Sequence, residues 1–231
     1  MNRFVQPELL DALPPDDPNA VQSRRALRRV NAWMRSHVIM SCALQQAANG
    51  ERPKQILDLG AGDGDFMLHV ARRLAVSWPF VKATLLDRQR IVAPGTSGAF
   101  AKLGWRAETV GADIFEWVRT APDEPVDVVV TNLFLHHFSG PGLVELFCAI
   151  SRRARLFVAL EPRRGRLPLL CSRLLWCIGC NAVTQHDAAA SVRAGFMGRE
   201  LSALWPAADS WRLTEQPAGL FSHLFMAQRV K

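Results

Sequence analysis

From residue 55 to residue 160 the chain alternates short unbroken apolar runs with stretches whose apolar residues recur at helical spacing. Gln55–Leu59 is a brief apolar run leading into glycines, which predicts a strand, and Asp65–Val76 has the three-and-four spacing of an amphipathic helix. Val81–Leu86 predicts a second strand, closed by Asp87. Gly95, Gly98 and Gly104 punctuate a weak helix ahead of a third strand at Trp105–Val110, and Ile114–Arg119 reads as a short helix. Val126–Thr131 is β-branched and unbroken, as expected of a central parallel strand covered on both faces. Gly140–Arg153 predicts a helix and Leu156–Leu160 a fifth strand.

The flanks follow other patterns. Residues 1–19 carry Pro7, Pro14, Pro15 and Pro18 among several acids and read as an irregular arm. Val21, Leu27, Val30, Met34, Val38 and Leu44 then predict one helix from Ala20 to Ala48, ended by Asn49-Gly50 and Pro53. Beyond Glu161-Pro162 come an Arg-rich turn, an apolar stretch from Leu167 to Cys180, a helix expected over Ala188–Trp205, and two strands around Trp211–Glu215 and Leu220–Arg229. The expectation is an α/β fold: an open, mainly parallel, seven-stranded Rossmann-like sheet with helices on both faces and an N-terminal helical cap. Ligands of such a sheet sit beyond the carboxyl ends of its strands. Residues 1–50 are the arm and cap, and 51–231 the main domain, with an insertion near 162–187.

Composition narrows the classes. The 231 residues are 49% apolar and 21% charged, the balance of a globular chain. The net charge of +7 is almost all arginine, since Lys occurs only at 54, 82, 102 and 231. Its pairs are dispersed (24/25, 28/29, 72/73, 152/153, 163/164), which reads as solvated helix faces and predicts no nucleic-acid partner. Five cysteines in mostly apolar settings, with no signal-like N-terminus, point to a reducing cytoplasm. The longest apolar run is broken by Pro168 and Arg173, so no stable membrane insertion is expected. Cys177-x-x-Cys180 with Cys171 and His186 nearby has the ligand types of a zinc site, but the paired spacing is missing and no metal is expected.

The informative loop is Asp58-Leu59-Gly60-Ala61-Gly62-Asp63-Gly64, where the first strand turns into the first helix. Glycines there allow tight turns and the close approach of a ligand. A dinucleotide fingerprint is G-x-G-x-x-G, whereas here the third glycine comes one residue early. Asp58, Asp63 and Asp65 also put carboxylates where a pyrophosphate needs donors and no negative charge. A cationic sulfonium ligand suits these acids.

At these residues the chain resembles the class I S-adenosylmethionine-dependent methyltransferases, over roughly 53–161. The resemblance implies S-adenosyl-L-methionine as cofactor, held by Asp58, Gly60, Ala61, Gly62 and Gly64. Asp87, with Arg88 beside it, would grip the ribose; Asp113 and Ile114 would hold the adenine; Asn132 and Leu133 would meet the methionine portion. Where nucleic-acid amino-methylases carry a Pro-Pro-aromatic platform, this chain has Asn132-Leu133-Phe134-Leu135-His136-His137-Phe138, which resembles the small-molecule branch. Glu8-Leu9-Leu10-Asp11, Leu27-Arg28-Arg29-Val30-Asn31, Val183-Thr184-Gln185-His186-Asp187 and Ser191-Val192-Arg193 are further similar to small bacterial methyltransferases linked to type III polyketide synthases.

That resemblance implies methyl transfer to a hydroxyl of a small aromatic or polyketide-like secondary metabolite. C- or N-methylation, an RNA-modifying enzyme and a non-catalytic cofactor-binding module are the alternatives. It places Asn31, Trp33 and His37 over the cofactor, Trp33 and His37 reaching the acceptor, and makes Leu167–Cys180, with Trp176, the wall of an apolar acceptor pocket. Arg163 would pair with an acidic acceptor. A phenol must lose its proton, and His is the natural base at neutral pH. The candidates are His137, His136 and His186, of which 136 and 137 point in different directions if extended, so that one of them at most faces the acceptor. The expected assembly is a monomer or homodimer.

Overall fold

A computed structural model describes residues 1–120 and 124–230; at 176 and 178 it describes the backbone alone. Seven strands, β1 (Gln55–Leu59), β2 (Lys82–Asp87), β3 (Arg106–Gly111), β4 (Val126–Asn132), β5 (Ala154–Pro162), β6 (Trp211–Ala218) and β7 (Ser222–Arg229), form one sheet in the order β3-β2-β1-β4-β5-β7-β6. The first five run parallel, while β7 is antiparallel to both β5 and β6. This is the Rossmann-like sheet that the β/α rhythm predicts. The order reverses between β1 and β4, so the loops leaving these neighbours diverge and open a crevice at their carboxyl ends.

Alternate residues of a strand face opposite sides of the sheet, and the core divides accordingly. On one side Ile56, Val128, Val130 and Val158 pack against α3 (Ser36–Ala48), α4 (Asp65–Leu74) and α5 (Pro94–Lys102) through Met40, Leu44, Met67, Leu74 and Phe100. On the other, Leu57, Leu59, Val129 and Phe157 pack against α6 (Ile114–Thr120) and α7 (Gly140–Arg153) and against Trp205, Trp211 and Phe225.

Three expectations need correction. The single helix predicted over Ala20–Ala48 is two, α2 (Pro18–Trp33) and α3, broken at Met34-Arg35, where Arg35 takes a left-handed φ of 56°. The break frees α3 to bury Met40 and Leu44 in the core while α2 crosses the carboxyl ends of the strands. The late helix lies at Ala182–Ala194, not Ala188–Trp205. Asn181 starts it by accepting the Thr184 amide at 2.9 Å, and Gly195 ends it, where a Cβ would meet the Pro162 carbonyl at 2.2 Å. The apolar run from Leu167 forms a helix, Arg166–Arg173, and a 3₁₀ turn, Leu175–Ile178. The irregular arm holds one short helix, α1 (Leu9–Ala12). In chain order Arg166–Arg173 is α8 and Ala182–Ala194 is α9.

Candidate functional site

The glycine loop is built by hydrogen bonds to the strand beside it. The amides of Gly60 and Ala61 donate to the Leu86 carbonyl at 2.9 and 3.0 Å, and the Gly62 amide donates to Asp87 Oδ2 at 2.8 Å. Gly60, at φ +73°, lies so close to the Phe134 ring that a Cβ would come within 2.3 Å of it. The other Asp87 oxygen accepts the Gln89 amide at 2.8 Å, so this carboxylate ties together the two loops that leave β1 and β2. Asp113 accepts the amides of Phe115 and Glu116 and caps α6.

A second buried carboxylate organises the segment after β4. Glu161, near the end of β5, accepts the amides of Phe134 at 3.0 Å and Leu135 at 2.8 Å, and it holds His136 Nδ1 at 2.8 Å. Leu133, whose amide donates to the Leu160 carbonyl, is pinned in a left-handed turn with φ 54°. The 3₁₀ turn Leu135–His137 thereby directs its two histidines differently. His136 turns inward, where Glu8 of the arm meets its Nε2 at 3.2 Å; His137 turns to the crevice, with Nδ1 3.6 Å from Asp11.

The arm and α2 close over the crevice to leave a cavity of about 590 Å³. The loop and its acids line it, through Asp58, Gly60, Ala61, Gly62, Asp87 and Asp113, as do Arg88, Ile114, Asn132 and Leu133. Glu8, Asp11, His137 and Phe138 line it as well, and Arg88 donates to the Asp11 carbonyl at 3.2 Å. His37 lines it too. Gly64 does not; its φ of +77° turns the chain into α4.

The remaining expected residues lie elsewhere. His136 is buried behind the wall. His186 sits half-exposed on α9, outside the cavity, with Nδ1 2.9 Å from Asp187. Trp33 is exposed and packs on Phe221 with ring centroids 5.3 Å apart. Arg163 is a backbone link, donating its amide to Phe221 and bridging to Phe196. The side chain of Trp176 lies outside the described residues, and among the described residues none from 139 onward lines the cavity. Leu167–Cys180, expected to wall an acceptor pocket, supplies no described residue to this cavity, whose lining includes Val5, Gln6, Pro7 and Leu10 of the arm and Arg24 and Leu27 of α2. No single-residue signal marked these, because their contribution depends on the arm folding back across the sheet.

Electrostatics separates the two histidines. Burial pushes His136 down, but the bonds to Glu161 and Glu8 outweigh it and raise its pKa to about 9, so His136 is an imidazolium at neutral pH. For Glu8 burial acts upward, and His136 with Ser191 more than offsets it, bringing the carboxyl down to about 2. His137 is held below the usual imidazole value, by burial first and then by the charge of His136. It is therefore the neutral ring of the pair. Ligand-type atoms of Glu8, His136 and His137 converge, but both nitrogens of His136 are occupied by carboxylates, so the cluster is closed on itself. The five cysteines are free thiols and, among the described residues, join no such group.

Three residues that line the cavity each carry a buried oxygen with no hydrogen-bond partner: Asp58 Oδ2, Asn132 Oδ1 and Asn31 Oδ1. Burial, and secondarily the neighbouring Asp87, pushes the Asp58 carboxyl well above its usual range, a cost that a bound cation relieves. Residues 56–155 match the family model described as "Methyltransferase domain".

Over these residues the chain is similar to a methyltransferase domain.

Its model runs from β1 to the start of β5 and so takes in the loop, Asp87, Asp113, Asn132 and both histidines of the turn. The structure is similar to the plantazolicin methyltransferase BpumL in complex with SAH (TM-score 0.62, 14% identity, 93% of this chain and 92% of that one). It also resembles the mitomycin 7-O-methyltransferase MmcR (TM-score 0.60, 18% identity, 96% of this chain and 60% of that one). A third likeness is an O-methyltransferase family protein from Burkholderia thailandensis (TM-score 0.57, 17% identity, 94% and 63%). At such identities the likeness is one of fold. No curated protein matches the sequence. The S-adenosylmethionine expected from the sequence would fit these residues: its ammonium and ribose hydroxyls are donors for the unpaired oxygens, and for the Asp87 carboxylate beside the Gly62 and Gln89 amides that it already accepts.

Proposed function

We propose that the protein transfers a methyl group from S-adenosylmethionine to a hydroxyl of a small, aromatic or polyketide-like secondary metabolite. One observation carries this reading: a single cavity joins the cofactor loop to His137, the neutral histidine, and is roofed by the protein's own arm. The related folds support it, since they include a mitomycin 7-O-methyltransferase.

Methyl transfer from a sulfonium is an in-line displacement, so the chain's task is to align the acceptor and exclude water. Asp58, Asn31 and Asn132 would hold the methionine portion, and Asp87 and Asp113 the nucleoside. The cofactor supplies an activated methyl group. The acceptor oxygen would lie at the His137 end, where His137 accepts its proton and Asp11 stabilises the resulting imidazolium. His136 cannot share this role while Glu161 and Glu8 occupy both of its nitrogens. His186 is outside the cavity.

Calorimetric titration with S-adenosylmethionine, followed by incubation with a panel of phenolic and pyrone acceptors and mass spectrometry of the products, tests the reading. Binding plus a mass gain of one methylene on a hydroxyl is expected. Methylation confined to carbon or nitrogen would overturn the hydroxyl assignment, and no binding by the folded protein would overturn the whole.

A further inference from the structure

α8 is set on the molecule with its apolar stripe facing outward. Its buried positions are Pro168 and Ser172, while Leu167 and Leu170, and Leu174 just past its end, recur at helical spacing on one face and are 51%, 57% and 49% exposed. Single exposed leucines are ordinary, but a stripe of them is not. The stripe belongs to the segment expected to wall the acceptor pocket, and it contributes nothing to the cavity.

Neighbouring groups extend the face. The Arg163 amide donates to the Phe221 carbonyl at 2.7 Å, so the turn between β6 and β7 adjoins the start of α8. In that turn Leu220 is 61% exposed, and Trp33, 71% exposed, packs on Phe221. The charge around this face has one sign. Between Glu161 and Asp187 there is no acidic residue, whereas Arg163, Arg164, Arg166 and Arg173 are all present. Arg164 turns inward to pair with Glu200, but Arg166 and Arg173 are exposed beside the leucines. A second copy docking by the same face would set like charges against each other, whereas an anionic surface complements them.

We infer that this face docks on an anionic lipid bilayer. Leu167, Leu170, Leu174 and Trp33 enter the boundary between headgroups and acyl chains, and Arg166 and Arg173 meet the phosphates. The inference is independent of the acceptor. α8 lines no part of the cavity, while Trp33 ends α2, whose Asn31 and Ala32 do.

The test is co-sedimentation of the full chain with vesicles of phosphatidylcholine alone and of phosphatidylcholine mixed with phosphatidylglycerol. The wild type should bind the mixed vesicles, lose that binding in high salt, and bind neutral vesicles weakly. Each of R166Q and R173Q should weaken binding to anionic vesicles about fivefold, and the triple variant L167Q/L170Q/L174Q should weaken it by tenfold or more. Unchanged S-adenosylmethionine titration and circular dichroism verify that the variants fold. The lipid and salt dependence of the wild type stands as a test even where the triple variant fails to do so. Equal binding to both vesicle types, no binding, or a wild-type dimer that the leucine variant abolishes would overturn the inference.

Discussion

Gly60 shows how one residue sets the cofactor loop. A side chain there would need both a left-handed backbone and the space that the Phe134 ring occupies 2.3 Å away. Gly60→Ala should therefore lower stability by about 1–3 kcal/mol and weaken S-adenosylmethionine binding, read by thermal melting and calorimetry. His137 makes the opposite kind of prediction. Proposed as the proton acceptor, it should be replaceable by Ala with cofactor affinity intact and turnover reduced about 10²–10⁴-fold. Comparable turnover in His137→Ala and wild type would remove the histidine mechanism. His186→Ala, on an exposed part of α9, should leave turnover close to wild type.

At the scale of elements, the arm is the least conventional part. It is held by bonds to residues far along the sequence: its own Arg3 donates to the carbonyls of Ala194 and Phe138, and Asp187 accepts the amides of Leu9 and Leu10 at 2.8 and 2.9 Å. Glu8 reaches both His136 and Ser191. Asp187→Ala removes the cap of α1 and should cost about 1 kcal/mol, seen as faster proteolysis of residues 1–12.

The Glu8–His136 pair also gives the arm a pH window. Glu8 lies below its ordinary value in the folded chain, so its contribution is present above about 4.5 and lost as pH falls toward about 2. His136 is raised, so its contribution is complete below 6.5 and lost as pH rises through about 9. The melting-temperature gap between wild type and Glu8→Gln should be widest between these ordinary values and shrink on either side. A gap independent of pH would show that the pair is not ionised.

At the scale of the molecule, the sheet is closed by a second buried pair. Glu215 of β6 accepts the amides of Leu201 and Ser202 and lies 2.8 Å from His223 Nε2 of β7, which joins the connection after α9 to the antiparallel edge. Burial acts to raise the Glu215 carboxyl, but the His223 bond and those from Ser202 and Leu201 prevail and hold it below its usual range. A depressed carboxyl stabilises above its unfolded value and stops doing so as pH falls through the folded one. Glu215→Gln should thus be destabilising at neutral pH, with the difference closing in acid, as measured by thermal unfolding across pH. No helix among the described residues is long and apolar enough to cross a membrane.

Local pattern determined the five parallel strands and the helices between them, because each buries residues whose spacing repeats within the element itself. It placed the glycine loop for the same reason: Asp58, three glycines and Asp87 lie at strand ends that periodicity already locates. The tertiary structure alone distinguished the two histidines after β4. His136 and His137 are adjacent and chemically identical, and what separates them is Glu161 from β5 and Glu8 from the arm, 25 and 128 residues away. The cavity roof was hidden for a like reason, since nothing in the local pattern at Arg35 announces a helix break or the return of the arm across the sheet. Contacts between distant segments leave no period to read, and there only the fold assigns roles.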